Sequence, residues 1–188
     1  MVPGRLVTLR PMEPSDAEAL WRWNHDPEVM RWMDDGYAQP LAQVRKRMEE
    51  RPRNAYGDVL RGIEVREDGR LIGLVRLRDA EPETGCAELD IYLGEKEYWG
   101  RGYATDAMRT MCRYGFEKMR LHKISLTVVT ENEAAHHVYR KVGFVEEGGC
   151  VRSSGATAGG TTCSPWASWR ANSATEPRPP RLDAPGRR

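Results

Sequence analysis

Two rhythms of apolar residues run through this chain. Alternation at period two marks residues 6–10, 62–65, 71–77, 87–93 and 124–128 as half-buried strands. Spacings of three and four residues link Ala104, Ala107, Met108, Met111, Cys112, Gly115, Phe116 and Met119 into one apolar stripe, the pattern of a helix lying on a core. Three weaker helical stretches accompany it. The first, capped by Ser15 or Asp16, carries Ala17, Leu20 and Trp21 and is broken by residues 23–28. The second runs from about Leu41 through Met48, and the third covers about 133–142 and stops at Gly143, a usual C-cap residue. Phe144 and Val145 open a further strand.

Turn chemistry orders these elements. Asp68 and Gly69 supply the positive φ of a tight hairpin, and Glu83, Thr84 and Gly85 supply a second turn, so the strands on either side form an antiparallel meander of three. The long helix that follows acts as a crossover, which brings residues 124–128 back parallel to residues 87–93. The predicted class is α/β (α+β), a mixed and mostly antiparallel sheet with one parallel strand pair and flanking helices.

The chain has 188 residues, enough for one compact domain that needs neither disulfide nor metal. Its formal charge is +1, yet residues 1–148 hold 23 Lys and Arg against 26 Asp and Glu. A slightly acidic body argues against nucleic acid as a partner and favours a small cationic one. Cys86, Cys112, Cys150 and Cys163 form no CxxC pair and the four histidines show no zinc spacing, so no metal is expected and a reduced cytoplasm fits best. No stretch approaches the ~20 apolar residues of a membrane span, and no basic-then-apolar leader opens the chain, so no membrane partner is expected. Beyond Gly148 the character changes. Gly, Ala, Ser, Thr, Pro and Arg dominate residues 149–188, where Val151 and Leu182 are the only branched aliphatics. Residues 1–148 therefore read as the domain and 149–188 as an atypical, disordered or poorly packed tail.

The most informative segment is Trp99, Gly100, Arg101, Gly102, Tyr103 and Ala104, placed between a strand and the strongest helix. Glycines there allow consecutive backbone N–H groups to converge on an anion, and the helix N-terminus adds partial positive charge. Arg101 and the hydroxyl of Thr105 extend the polar set. A pyrophosphate held by main chain is one reading, and a turn that merely starts a helix is the other. A loop for ATP fits less well, because no P-loop lysine follows the glycines. Downstream, Asn132, Ala135, Tyr139, Lys141, Gly143 and Phe144 form the spacing N-x-x-A-x-x-x-Y-x-K-x-G-F.

Taken with W-G-R-G-Y-A, this spacing resembles the GNAT superfamily of N-acetyltransferases, over about residues 5–148 and in the branch of ribosomal-protein N-terminal and spermidine acetyltransferases. Trp99 stands where much of the superfamily has Gln or Arg. The resemblance implies acetyl-CoA as co-substrate, its pyrophosphate cradled by residues 99–105. Pantetheine would enter as a pseudo-strand where residues 89–93 splay from residues 124–128. Ile91, Tyr92 and Leu93 would line that gap, the backbone of Ile91 and Leu93 pairing with its amides. Asn132 and Ala135 would also bind the coenzyme, although an asparagine before a helix also serves as an N-cap.

The resemblance further implies Tyr139 as general acid toward the departing thiolate, a proton transfer that suits a phenol of reference pKa about 10. A buried aromatic with a satisfied hydroxyl is the alternative. Glu88 is the first choice for general base, and Asp90 shares its strand face; both also read as solvated carboxylates. His122, His136 and His137 are lesser candidates. Cys86 has no adjacent histidine and is left structural. The implied reaction is direct attack by an amine within a ternary complex, with main-chain donors near Leu93 steadying the oxyanion and no covalent enzyme intermediate.

The acceptor is expected to be a primary amine, small and cationic like a polyamine or aminoglycoside, near Asp34 and Asp35. A protein N-terminal acetyltransferase and a non-catalytic acyl-CoA-binding module are the alternatives, and a homodimer is compatible with each. The family continues past Gly148 with a two-strand hairpin that closes the acceptor site, and here the sequence departs. Residues 154–157, back-translated and read one nucleotide earlier, can spell Phe-Trp-Arg-Asp, so a shifted reading frame is one account of the departure and a divergent tail the other.

Overall fold

The structure, a computed structural model, describes residues 1–33, 38–150 and 166–172. The alternating segments assemble as one sheet. Its strands are β1 (Val2–Pro3), β2 (Val7–Arg10), β3 (Asp58–Val65), β4 (Leu71–Glu81), β5 (Cys86–Leu93), β6 (Lys123–Val129), β7 (Val145–Cys150) and β8 (Trp166–Asn172), in the order β1-β2-β3-β4-β5-β6-β8-β7. Every neighbouring pair is antiparallel except β5 and β6. The helices are α1 (Ala17–Asn24), α2 (Leu41–Glu49), α3 (Tyr103–Glu117) and α4 (Glu133–Val142).

Alternation divides the sheet between two cores. Val75 and Leu77 of β4 and Ala87 and Leu89 of β5 face the larger one, where Ala107, Met108, Met111 and Cys112 of α3 are buried against them and against Ile124, Leu126 and Val128 of β6. These α3 positions are the sequence stripe, spaced to fall on one helix face. On the opposite face a smaller cluster of Ala17, Leu20, Trp23, Val29 and Val44 packs α1 on α2, with Leu74 and Tyr92 beneath it. Trp23 sits flat against the chain just after β5. A Cβ at Gly94 would lie 2.0 Å from the Trp23 ring, so only glycine admits this approach. Glu95, almost fully buried, then accepts from the Trp23 indole N–H and the Arg22 guanidinium at 2.9 Å each and from Arg70 at 2.7 Å. Burial pushes its carboxyl up, but those three donors outweigh burial and hold it below the usual carboxylate range. Glu95 thus ties α1 to the end of β5.

Several expectations need correction. Asp16 occupies the N-cap position of α1 but caps nothing there; its carboxylate accepts from the Glu13 N–H at 2.7 Å and from Arg10 at 2.8 Å. Its oxygens thus face back toward the preceding turn and β2 instead of the first N–H groups of α1. α1 ends at Asn24, within the segment expected to break it, but Trp23 rather than Trp21 is its buried aromatic. β7 begins at Val145, one residue later than expected, and Phe144 is buried ahead of it. Asp34 and Asp35 lie outside the described residues. Within the stretch read as disordered or poorly packed, Trp166–Asn172 forms β8, paired along all seven residues of β6 and also with β7.

Candidate active site

β5 and β6 pair at only three positions, Cys86↔Lys123, Ala87↔Ile124 and Glu88↔Ser125. Both strands then continue, β5 to Leu93 and β6 to Val129, without pairing further. The gap is lined by backbone. The N–H of Gly94 donates to the Ile72 carbonyl at 2.8 Å, toward β4; by alternation, the N–H and C=O groups of Ile91 and Leu93 point the other way, into the gap. The Leu93 carbonyl already has a partner, because the indole N–H of Trp99 donates to it at 3.0 Å. That leaves the Leu93 N–H and both Ile91 groups facing the opening.

The gap belongs to a cleft of about 1170 Å³ that runs from the first turn of α3 to α1 and α2. At one end, Gly100 and Gly102 adopt φ of +71° and +87°. An added Cβ at either would meet no atom closer than 3.9 Å, so glycine is required by backbone conformation rather than space. The N–H groups of residues 100–104 have no protein acceptor among the described residues, and they stand at the N-terminus of a 15-residue helix. Such a loop suits a diphosphate. Unpaired amides in the gap and unpaired amides in the loop fit the two parts of acetyl-CoA, amide-bearing pantetheine and pyrophosphate.

Nine of the sequence-predicted residues line this cleft: Ile91, Tyr92, Leu93, Trp99, Gly100, Ala104, Asn132, Ala135 and Tyr139. Asn132 is also the N-cap of α4, accepting from the Ala135 N–H at 3.1 Å. Five others are not on its wall. Arg101 is exposed, Gly102 supports the turn, Tyr103 packs edge-on against Tyr98 at 5.3 Å, and Thr105 is buried. The fifth is Glu88, which sits behind the wall with its carboxylate taken by Arg78 at 2.6 Å and by the Thr127 hydroxyl at 3.3 Å. None of His122, His136 and His137 lines the cleft.

Asp90 does line it, and its charge reaches Tyr139. The phenol is buried beside Phe144, and its pKa is pushed up to about 12, chiefly by burial and secondarily by the Asp90 charge. Acid and carboxylate thus share one cavity. The remaining wall, toward α1 and α2, is mixed in charge. Arg76 is held by Asp58 at 2.7 and 3.0 Å and Arg51 joins the same carboxylate at 3.2 Å. Arg78 donates to Asp90 at 2.8 Å as well as to Glu88. Burial opposes its charge, and Asp90, Glu88 and Asp79 more than compensate, which keeps the guanidinium above its ordinary range. Tyr92 donates to Asn24 on α1 at 3.4 Å, so it belongs to this half of the cleft.

Arg78 also lines the cleft and was not singled out from sequence, because an arginine in a strand reads as a solvated side chain.

The model of the acetyltransferase (GNAT) domain matches residues 6–145. The chain is 33% identical to the spermidine N(1)-acetyltransferase of Escherichia coli (strain K12) over 149 residues, which cover 79% of this chain and 77% of that protein. It is 30% identical to the putative ribosomal N-acetyltransferase YdaF of Bacillus subtilis (strain 168) over 147 residues, 76% of this chain and 79% of that one. Among solved structures, spermidine N-acetyltransferase from Vibrio cholerae in complex with CoA and spermine superposes with a TM-score of 0.74 at 24% identity, covering 90% and 97% of the two chains. The chain belongs to the GNAT acetyltransferase family. Within it, the protein is an acetyl-CoA-dependent N-acetyltransferase.

Replacing Trp99 by Phe retains the ring and removes the donor to Leu93. The KM for acetyl-CoA should rise about fivefold, the equivalent of one net hydrogen bond of about 1 kcal/mol. Steady-state kinetics with varied acetyl-CoA tests this, and an unchanged KM and kcat would show that the Leu93 peptide needs no such support.

Proposed function

We propose that this enzyme transfers the acetyl group of acetyl-CoA to a primary amine of a polyamine. Supporting the acceptor class is the identity to spermidine N(1)-acetyltransferase over about three quarters of both chains. The observation that carries the mechanism is the placement of Tyr139 and Asp90 in one cleft, with the Asp90 charge acting on the phenol.

In the proposed reaction the amine nitrogen, relieved of a proton by Asp90 directly or through water, attacks the thioester carbonyl carbon. The Leu93 N–H, already facing the gap, stabilises the oxyanion. As the C–S bond breaks, the sulfur takes the phenolic proton of Tyr139, and the second proton lost by the nitrogen returns to the phenolate through water, giving an amide and the free thiol. Glu88 is set back from the amine, so its part is to hold Arg78. A phenol whose pKa is about 12 stays protonated through neutral pH; the acid form persists as pH rises and is lost only as pH passes that value.

Acceptor identity is tested by thiol release with spermidine, spermine, an aminoglycoside and peptides bearing a free α-amino group. Turnover should be highest with a polyamine. Activity confined to peptides would replace this reading with protein N-terminal acetylation, which the similarity to a putative ribosomal acetyltransferase favours. Acetyl-CoA binding without turnover on any amine would make the domain an acyl-CoA-binding module.

The acid is tested by Tyr139→Phe. Its kcat should fall by about 10²–10⁴ with little change in acetyl-CoA affinity, and wild-type kcat should show no alkaline decline from this group below about pH 10. A Tyr139→Phe enzyme within threefold of wild type would remove Tyr139 from the chemistry.

A further inference from the structure

Arg78 is anchored more heavily than a strand arginine requires. It stands directly opposite Glu88 in the β4–β5 register, and the next pair on the same sheet face is Arg76↔Asp90. Its Nη2 meets Glu88 Oε1 at 2.6 Å, its Nε meets Asp90 Oδ2 at 2.8 Å, and its Nη1 meets Asp79 Oδ2 at 2.5 Å. The third contact depends on an irregularity in the strand. The β4–β5 register shifts between Arg78 and Glu81, and Asp79 takes a φ of +52° there, one of two positive values at non-glycine residues among the described residues. Aspartate tolerates that region better than most residues. The bulge thus turns an exposed carboxylate back onto a side chain that also lines the cleft.

The charge arithmetic matters for an acceptor with several ammonium groups. Three carboxylates surround one guanidinium, and even with Arg76, which stands opposite Asp90 and senses both its charge and that of Arg78, the group stays net negative with cations already in place. Asp90 is the member that reaches the cleft and senses Tyr139. We propose that Arg78 is a specificity-determining residue of the acceptor site: its guanidinium fills, from within the protein, a place that a second ammonium of the acceptor would otherwise take, and so lowers the preference of the site for polycations over monoamines. Glu88 and Asp79 act through Arg78 as positioning residues. This inference rests on the polyamine reading above.

The test compares spermidine with butylamine, whose carbon chain is short and whose charge is single. In Arg78→Gln the KM for spermidine should fall about tenfold and that for butylamine less than threefold, the effect of removing one nearby cation at modest dielectric. The gap between the two should shrink as salt is raised. Asp79→Asn, a change at an exposed residue that leaves the core untouched, should act in the opposite direction by freeing the Arg78 charge, raising the KM for spermidine more than that for butylamine. Equal acetyl-CoA affinity by calorimetry verifies that each variant is folded. Should Arg78→Gln not fold, the sign of the Asp79→Asn effect decides alone. A charge-independent change, or none, in a wild-type enzyme that does acetylate spermidine overturns the role of Arg78 and leaves the polyamine reading standing; no turnover of spermidine by wild type overturns both.

Discussion

The ladder between β5 and β6 closes over three residue pairs and then opens, although both strands run on. A parted pair of strands leaves backbone donors and acceptors without partners, which is costly unless water or a ligand meets them. On one bank of the gap, β6 is anchored by β8, and on the other, β5 is anchored by β4. Neither strand can move to close it without breaking a longer ladder. The larger core fixes the separation from below, since Ile124, Leu126 and Val128 pack with Ala87 and Leu89 against α3. The opening is therefore a property of the sheet, and α3, whose first turn carries the glycine loop, is held at its end by the same packing.

Charge is then distributed along the cleft in two regimes. The coenzyme half, from Trp99 to Ala135, is lined by backbone and uncharged side chains, which suits a ligand bound through amides and phosphate oxygens. The half under α1 and α2 is charged: Arg51 and Arg76 meet Asp58, Arg78 meets Asp90, Glu88 and Asp79, and Arg31 and Arg47 line it as well. Arg76 chiefly holds the Asp58 carboxyl below its usual range. Glu95 ties the two halves together by joining Arg22 and Trp23 of α1 to the chain between β5 and the loop.

The strands and helices were legible because their apolar periodicity coincides with burial. The stripe from Ala104 to Met119 is the clearest instance, and the Asp68-Gly69 turn and the Gly143 cap fall where expected. The parallel return of β6 followed from the length of the crossover helix. What sequence could not provide was choice among equivalent carboxylates. Glu88 and Asp90 share one strand face, and which of them meets the cleft depends on where Arg78 sits on the neighbouring strand. Asp16 illustrates the same limit, because a cross-strand partner, Arg10, decided its hydrogen bonds.

Amide hydrogen exchange with and without acetyl-CoA tests the account most directly, because it reads the groups on which everything else depends. Binding should slow exchange at Ile91 and Leu93 and across residues 100–104, while the amides of β4 that face β3 remain unchanged. Saturating coenzyme that leaves those amides exchanging at their free rates would contradict the assignment of the gap and loop as its seat.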